Sequence, residues 1–147
     1  MRAGGSFPPI ENAADDVLDA AMWFIKNIDL ACELGRCTGL TNAQAAFARY
    51  GLLDEQVSFL KGYFSDTLPQ APFEQIAVMR LDGDLYESTM DGLNHVYPKL
   101  SPGGFCIIDD YYAFASCARA VNEYRAKHNI TAPMEKIDRA AIYWRNT

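Results

Sequence analysis

Two acidic clusters, each ending an apolar run, constrain this chain more than any other feature. Ile76-Ala77-Val78-Met79-Arg80-Leu81 leads into Asp82-Gly83-Asp84, and Phe105-Cys106-Ile107-Ile108 leads into Asp109-Asp110. Between them lie a helix-like segment and the turn Pro102-Gly103-Gly104. The pattern predicts strand, helix, strand, with both clusters at the carboxyl ends of parallel strands, where α/β sheets bind ligands. Carboxylates gathered in one crevice repel one another unless a cation joins them, and hard divalent ions prefer oxygen donors. A metal site on an α/β sheet is therefore the first expectation.

The chain has 147 residues, enough for one domain with a real core. Half of it is hydrophobic and 22% is charged, which fits a globular protein rather than a disordered one. A net charge of −6 argues against a nucleic-acid partner, which normally needs a basic face. Cys32, Cys37, Cys106 and Cys117 form no CxxC pair, and Cys106 falls inside a strand pattern, as expected of reduced thiols in a cytoplasmic protein. No apolar run reaches the length of a membrane span, and no signal peptide is recognisable, so no membrane partner is expected.

Along the chain, residues 1–11 read as irregular. Apolar spacing from Asn12 predicts a helix ending before Gly35, and a second helix runs from Asn42 to Tyr50, capped by Thr41. A short strand at 57–60 is expected, then strands at 76–81 and 104–108 separated by a helix over 86–97. A helix over 116–128 and two short strands, 134–137 and 141–145, complete the pattern. The order β, β-α, β-α, β-β is the second half of a doubly wound sheet closed by an antiparallel hairpin. Upstream of Val57 no strand is followed by a glycine-rich turn and a helix. Residues 1–38 are thus an unassigned helical segment, and 39–147 the carboxyl-terminal part of a larger α/β design.

Single aspartates at strand ends often cap the next helix, as Asp84, Asp109 or Asp110 can do here. Two clusters on neighbouring strands favour a ligand site instead. Asp82 and Asp84, two apart, can both reach one ion, or one can bind while the other takes a proton. Asp109 and Asp110 are adjacent and must diverge unless the chain is already turning. His95 and His128 sit in helix positions where a structural role suffices. Tyr111, Tyr112 and Phe114 either pack over the sheet edge or line a cleft.

Several runs carry a family resemblance. They are Phe47-Ala48-Arg49-Tyr50-Gly51-Leu52-Leu53-Asp54, Phe59-Leu60-Lys61-Gly62-Tyr63-Phe64, Arg80-Leu81-Asp82-Gly83-Asp84-Leu85-Tyr86-Glu87-Ser88-Thr89, Tyr97-Pro98-Lys99-Leu100 and Ile108-Asp109-Asp110-Tyr111. Over about residues 45–145 the chain resembles the macrocin O-methyltransferase (TylF-type) family. That resemblance implies a Rossmann-like fold, S-adenosylmethionine and Mg²⁺ as cofactors, and a sugar hydroxyl on a small glycosylated natural product as acceptor. It also implies metal ligands at Asp82, Asp109 and Asp110, a general base at Asp84, and cofactor contacts at Gly62 and Tyr63.

The family's amino-terminal half, with its glycine-rich cofactor loop and ribose carboxylate, has no counterpart in residues 1–38. A truncated enzyme that binds its cofactor weakly is therefore expected, with an uncovered sheet edge that favours a homo-oligomer. The alternatives are a metal-binding remnant or oligomerising domain without activity, and, more distantly, a phosphatase of the haloacid dehalogenase type. Cofactor binding separates the first from the enzyme. The phosphatase layout would place Asp-x-Asp after the first strand.

Overall fold

The computed structural model describes residues 40–147. The helix expected over 12–34, and Cys32 and Cys37, lie outside them. Helix α1, Leu40–Arg49, stops before Gly51, whose φ of 67° ends it in the left-handed region. A four-residue helix α2, Phe64–Thr67, runs into a 3₁₀ turn, Leu68–Gln70, and then strand β1, Ile76–Leu81. Helix α3, Tyr86–His95, and a 3₁₀ turn, Tyr97–Lys99, lead to strand β2, Leu100–Ile108. Helix α4, Ala115–Lys127, precedes strands β3, Glu135–Lys136, and β4, Ile142–Arg145.

The sheet has the order β1-β2-β4-β3. β1 and β2 are parallel, whereas β4 runs antiparallel to both β2 and β3. This is the expected α/β half-sheet with a closing hairpin. The expected strand at 57–60 is corrected: these residues form none. Their apolar side chains serve packing instead. Phe59 meets Phe47 of α1 edge-on at 5.4 Å, and Leu60 packs against the core. Strand propensity records a fit to a half-buried surface, which a loop can also satisfy.

β2 begins earlier than expected, at Leu100, because its first residues bulge. Ile76 pairs with Leu100, but Val78 already pairs with Phe105. Gly104 permits this: a Cβ there would stand 2.7 Å from the Ala77 carbonyl oxygen. Beyond the bulge the register is regular, Met79 to Cys106 and Leu81 to Ile108.

α4 buries Cys117, Ala120, Val121 and Tyr124, an i, i+3, i+4, i+7 face, and ends at Asn129 with φ 54°. α3 packs against α4 and buries Ser88, Thr89, Gly92 and Leu93. The core they share with the sheet centres on Trp144, Leu93, Cys106, Ile108 and Ile142. Trp144 is fully buried, donates from Nε1 to the Tyr97 hydroxyl at 3.2 Å, and lies beneath the Arg125 guanidinium. Tyr97 in turn donates to Asn146 Oδ1, and Asn146 Nδ2 donates to the Leu100 carbonyl. Among the described residues, no helix is long and apolar enough to cross a membrane.

Candidate functional site

Because β1 and β2 are parallel neighbours in register at Leu81 and Ile108, the residues that follow them emerge side by side. The Asp109 amide still donates to the Leu81 carbonyl at 2.9 Å, which carries the pairing one residue past β2. Arg80 pairs with Ile107, so Asp109, two residues on, shares the face of Arg80, and Asp110 takes the other. The adjacent acids diverge for this reason. Asp109 accepts from Arg80 Nε at 3.0 Å on each oxygen and from Nη2 at 2.5 Å. Asp110 turns towards the Asp82-Gly83-Asp84 loop, where oxygens of Asp82, Asp84 and Asp110 all lie within 4.8 Å of one another.

Hydroxyls brought by the two helices hold that loop. Thr89 Oγ1 lies 2.8 Å from both the Gly83 and Leu85 carbonyls, and Ser88 Oγ donates to Leu85 at 3.2 Å. Ser116, in the first turn of α4, donates to the Asp84 carbonyl at 2.8 Å. These backbone anchors leave the carboxylates of Asp82 and Asp84 exposed and free to face a ligand. Sequence reasoning missed Arg80, Thr89 and Ser116. Arg80 alone left a signal, a charge inside an otherwise apolar strand.

Asp110 is the strained member. Burial, then the charges of Asp84, Asp82 and Asp109, and a proton shared with Asp84, push its carboxyl up to about 6. Its Oδ2 is sealed from solvent without a hydrogen-bond partner. Arg80 is raised above its ordinary value, chiefly by the hydrogen-bonded pair with Asp109, against a lowering by burial. Four carboxylates thus meet one guanidinium at this edge.

Three all-oxygen donors and an orphaned carboxylate oxygen fit a hard divalent cation such as Mg²⁺. Of the expected ligands, Asp82 and Asp110 converge. Asp109 is engaged by Arg80, and Asp84, expected as the base, stands in its place in the cluster.

Gly62 and Tyr63 lie before α2. Gly62 has φ 142°, and a Cβ on it would meet Thr67 Cγ2 at 2.8 Å. The Tyr63 carbonyl accepts from the Thr67 hydroxyl, and its ring is exposed. α2 packs against α3, which starts at the acidic loop. Among the neighbouring aromatics, Tyr111 packs on the core and donates to Asn122, while Tyr112 and Phe114 stay exposed at the rim.

Residues 35–146 match the model of the macrocin-O-methyltransferase (TylF) family. Mycinamicin III 3''-O-methyltransferase of Micromonospora griseorubida is 56% identical over 110 residues, 75% of this chain and 43% of that protein. Demethyldecarbamoylnovobiocin O-methyltransferase of Streptomyces niveus is 55% identical over 101 residues, 69% of this chain and 38% of that protein. The chain therefore spans about two fifths of the length of these curated relatives. The structure of the O-methyltransferase NovP superposes with a TM-score of 0.76 at 43% identity, covering 84% of this chain and 56% of that one. A putative methyltransferase from Streptococcus mutans in complex with SAH is 13% identical with a TM-score of 0.59, the match covering 97% of this chain and all of that one. The chain belongs to the TylF macrocin-O-methyltransferase family.

Proposed function

We propose that this chain serves an S-adenosylmethionine-dependent, Mg²⁺-assisted O-methyltransferase that acts on a sugar hydroxyl of a glycosylated natural product. The observation that carries this is the Asp82-Asp84-Asp110 cluster, with its sealed and unpartnered oxygen, at the carboxyl edge of two parallel strands. The relatives' names, which specify methyl transfer to mycinamicin III and to demethyldecarbamoylnovobiocin, support the acceptor class.

A sugar hydroxyl is a poor nucleophile near neutral pH. Bound Mg²⁺ would lower the pKa of such a hydroxyl, and S-adenosylmethionine would supply the electrophilic methyl group. The chain's own residues do the rest. Asp82 and Asp110 hold the ion, and Asp109 joins them where its pair with Arg80 opens. Asp84, exposed and anchored through its backbone by Ser116, accepts the hydroxyl proton as the oxygen–methyl bond forms and the sulfonium–methyl bond breaks. Leu85 and Phe114, apolar and exposed on either side of the acids, offer surface to the acceptor's ring system. Gly62 and Tyr63 serve the adenine.

Thermal melting with and without Mg²⁺, together with cofactor titration at saturating concentration, tests this. Mg²⁺ binds the folded cluster and not the unfolded chain, so it is expected to raise Tm. Asp110→Asn is expected to abolish the rise. A Tm indifferent to Mg²⁺ would remove the ion from the mechanism. An ion-dependent Tm without any binding of S-adenosylmethionine would leave an ion-binding protein and no transferase.

A further inference from the structure

Arg80 is the residue whose presence the mechanism does not use. Its neighbours Met79 and Leu81 supply the strand's buried surface, so the sheet does not need it. It commits both Nε and Nη2 to one carboxylate, the fork geometry of the stronger ion pairs. Asp109 is 19% exposed and Arg80 half exposed, so the pair sits at the rim of the acidic edge rather than in open solvent. The other three carboxylates meet one another without a cation of their own.

We propose, building on the ion-binding reading above, that Arg80 is a positioning residue that withholds Asp109 from the ion and so weakens the site for divalent cations. Two effects act in the same direction. The guanidinium competes for the carboxylate, and its charge repels an incoming cation. While the pair is closed, the ion has Asp82 and Asp110, with the Asp84 carboxylate beside them. Asp109 becomes a ligand only where the fork opens. Weak, few-ligand binding suits Mg²⁺, which keeps several positions for water or substrate oxygens.

Mn²⁺ titration by electron paramagnetic resonance on the full chain tests this in four proteins: wild type, Arg80→Met, Arg80→Lys and Arg80→Met/Asp109→Asn. Circular dichroism reports whether each is folded. Removing one charge close to a dication should tighten Mn²⁺ binding about five- to tenfold in Arg80→Met. Arg80→Lys, which keeps the charge but loses the fork, should fall between, and carries the test should the methionine variant not fold. The gain should shrink in the double variant, because the released Asp109 supplies part of it and only the relief of repulsion remains. Equal or weaker binding in Arg80→Met overturns the proposal, as does a gain undiminished by the loss of Asp109. Wild-type binding with no change in Arg80→Met defeats the Arg80 role alone. No Mn²⁺ binding by any of the four defeats the ion site and the Arg80 role together.

Discussion

The two ends of the β1–β2 pair are built on opposite terms. Near the start of β2, the enclosed side chains are joined in series: Trp144 donates to Tyr97, Tyr97 to Asn146, and Asn146 to Leu100. Among the described residues there, only Arg125 Nη1, on the guanidinium over Trp144, is buried without a partner. At the carboxyl ends the same two strands deliver four carboxylates and a single guanidinium, and leave Asp110 Oδ2 sealed without a partner. One end makes stability; the other gives some up to keep ligand oxygens facing one point. Substitutions should therefore be costly at the first end, and at the second should exchange stability against ion binding.

The largest expected effect is at the first end. Trp144→Ala removes a fully buried indole, the platform beneath Arg125, and the donor to Tyr97. It should cost about 3–5 kcal/mol by denaturant titration, more than any change among the acids. A smaller loss at Trp144 than at Asp82 or Asp84 would break the contrast.

Thr89→Val comes next. It keeps the shape but leaves the Gly83 carbonyl without its hydroxyl, while Leu85 keeps that of Ser88; the change should cost about 1–3 kcal/mol. It should also shrink the Mg²⁺-induced rise in Tm, because the loop that presents Asp82 and Asp84 loosens. A destabilised variant with an undiminished Mg²⁺ response would show that the loop needs no such anchor.

The smallest effect is a pH dependence. Folding raises Asp110 from 3.8 to about 6, so the folded state holds the proton more tightly than the unfolded one. The stability this contributes is complete below the unfolded value and is lost as pH rises from 3.8 through about 6. Asp110→Asn escapes that loss. Without divalent ions it should melt above wild type at pH 8, and the gap should close near pH 4. A gap independent of pH would mean that Asp110 is not the group under strain.

Much of this contrast was legible in residue order. β1, β2, α3 and α4 stood out because each joins a long periodic pattern to clear punctuation: Pro98, the Pro102-Gly103-Gly104 turn and Asn129. The acids at the strand ends followed from that order. What stayed hidden depends on register. The divergence of Asp109 and Asp110 could be foreseen, but not which would meet Arg80, because that needs Ile107 to stand opposite Arg80. Thr89 and Ser116 were hidden because hydroxyls in helices are common and only tertiary packing aims them at the acidic loop. Val57 to Leu60 misled for a similar reason: apolar β-type residues in a loop that docks through Phe59 look like a strand until their neighbours are known.

The placement of Trp144 has a consequence for biosynthesis. β4 pairs with β2 across 34 to 40 positions of chain, from Ile142 with Ile108 to Arg145 with Phe105. Until β4 has been synthesised, the nascent chain carries β2 with one edge unpaired and the side chains around Cys106 and Ile108 lacking the indole that covers them. Such an intermediate is open to edge pairing with another nascent chain or to capture by a chaperone. Folding of this sheet therefore waits for β4, and codon changes that slow synthesis between Asn129 and Trp144 should lower the yield of soluble protein more than the same changes placed upstream of β1.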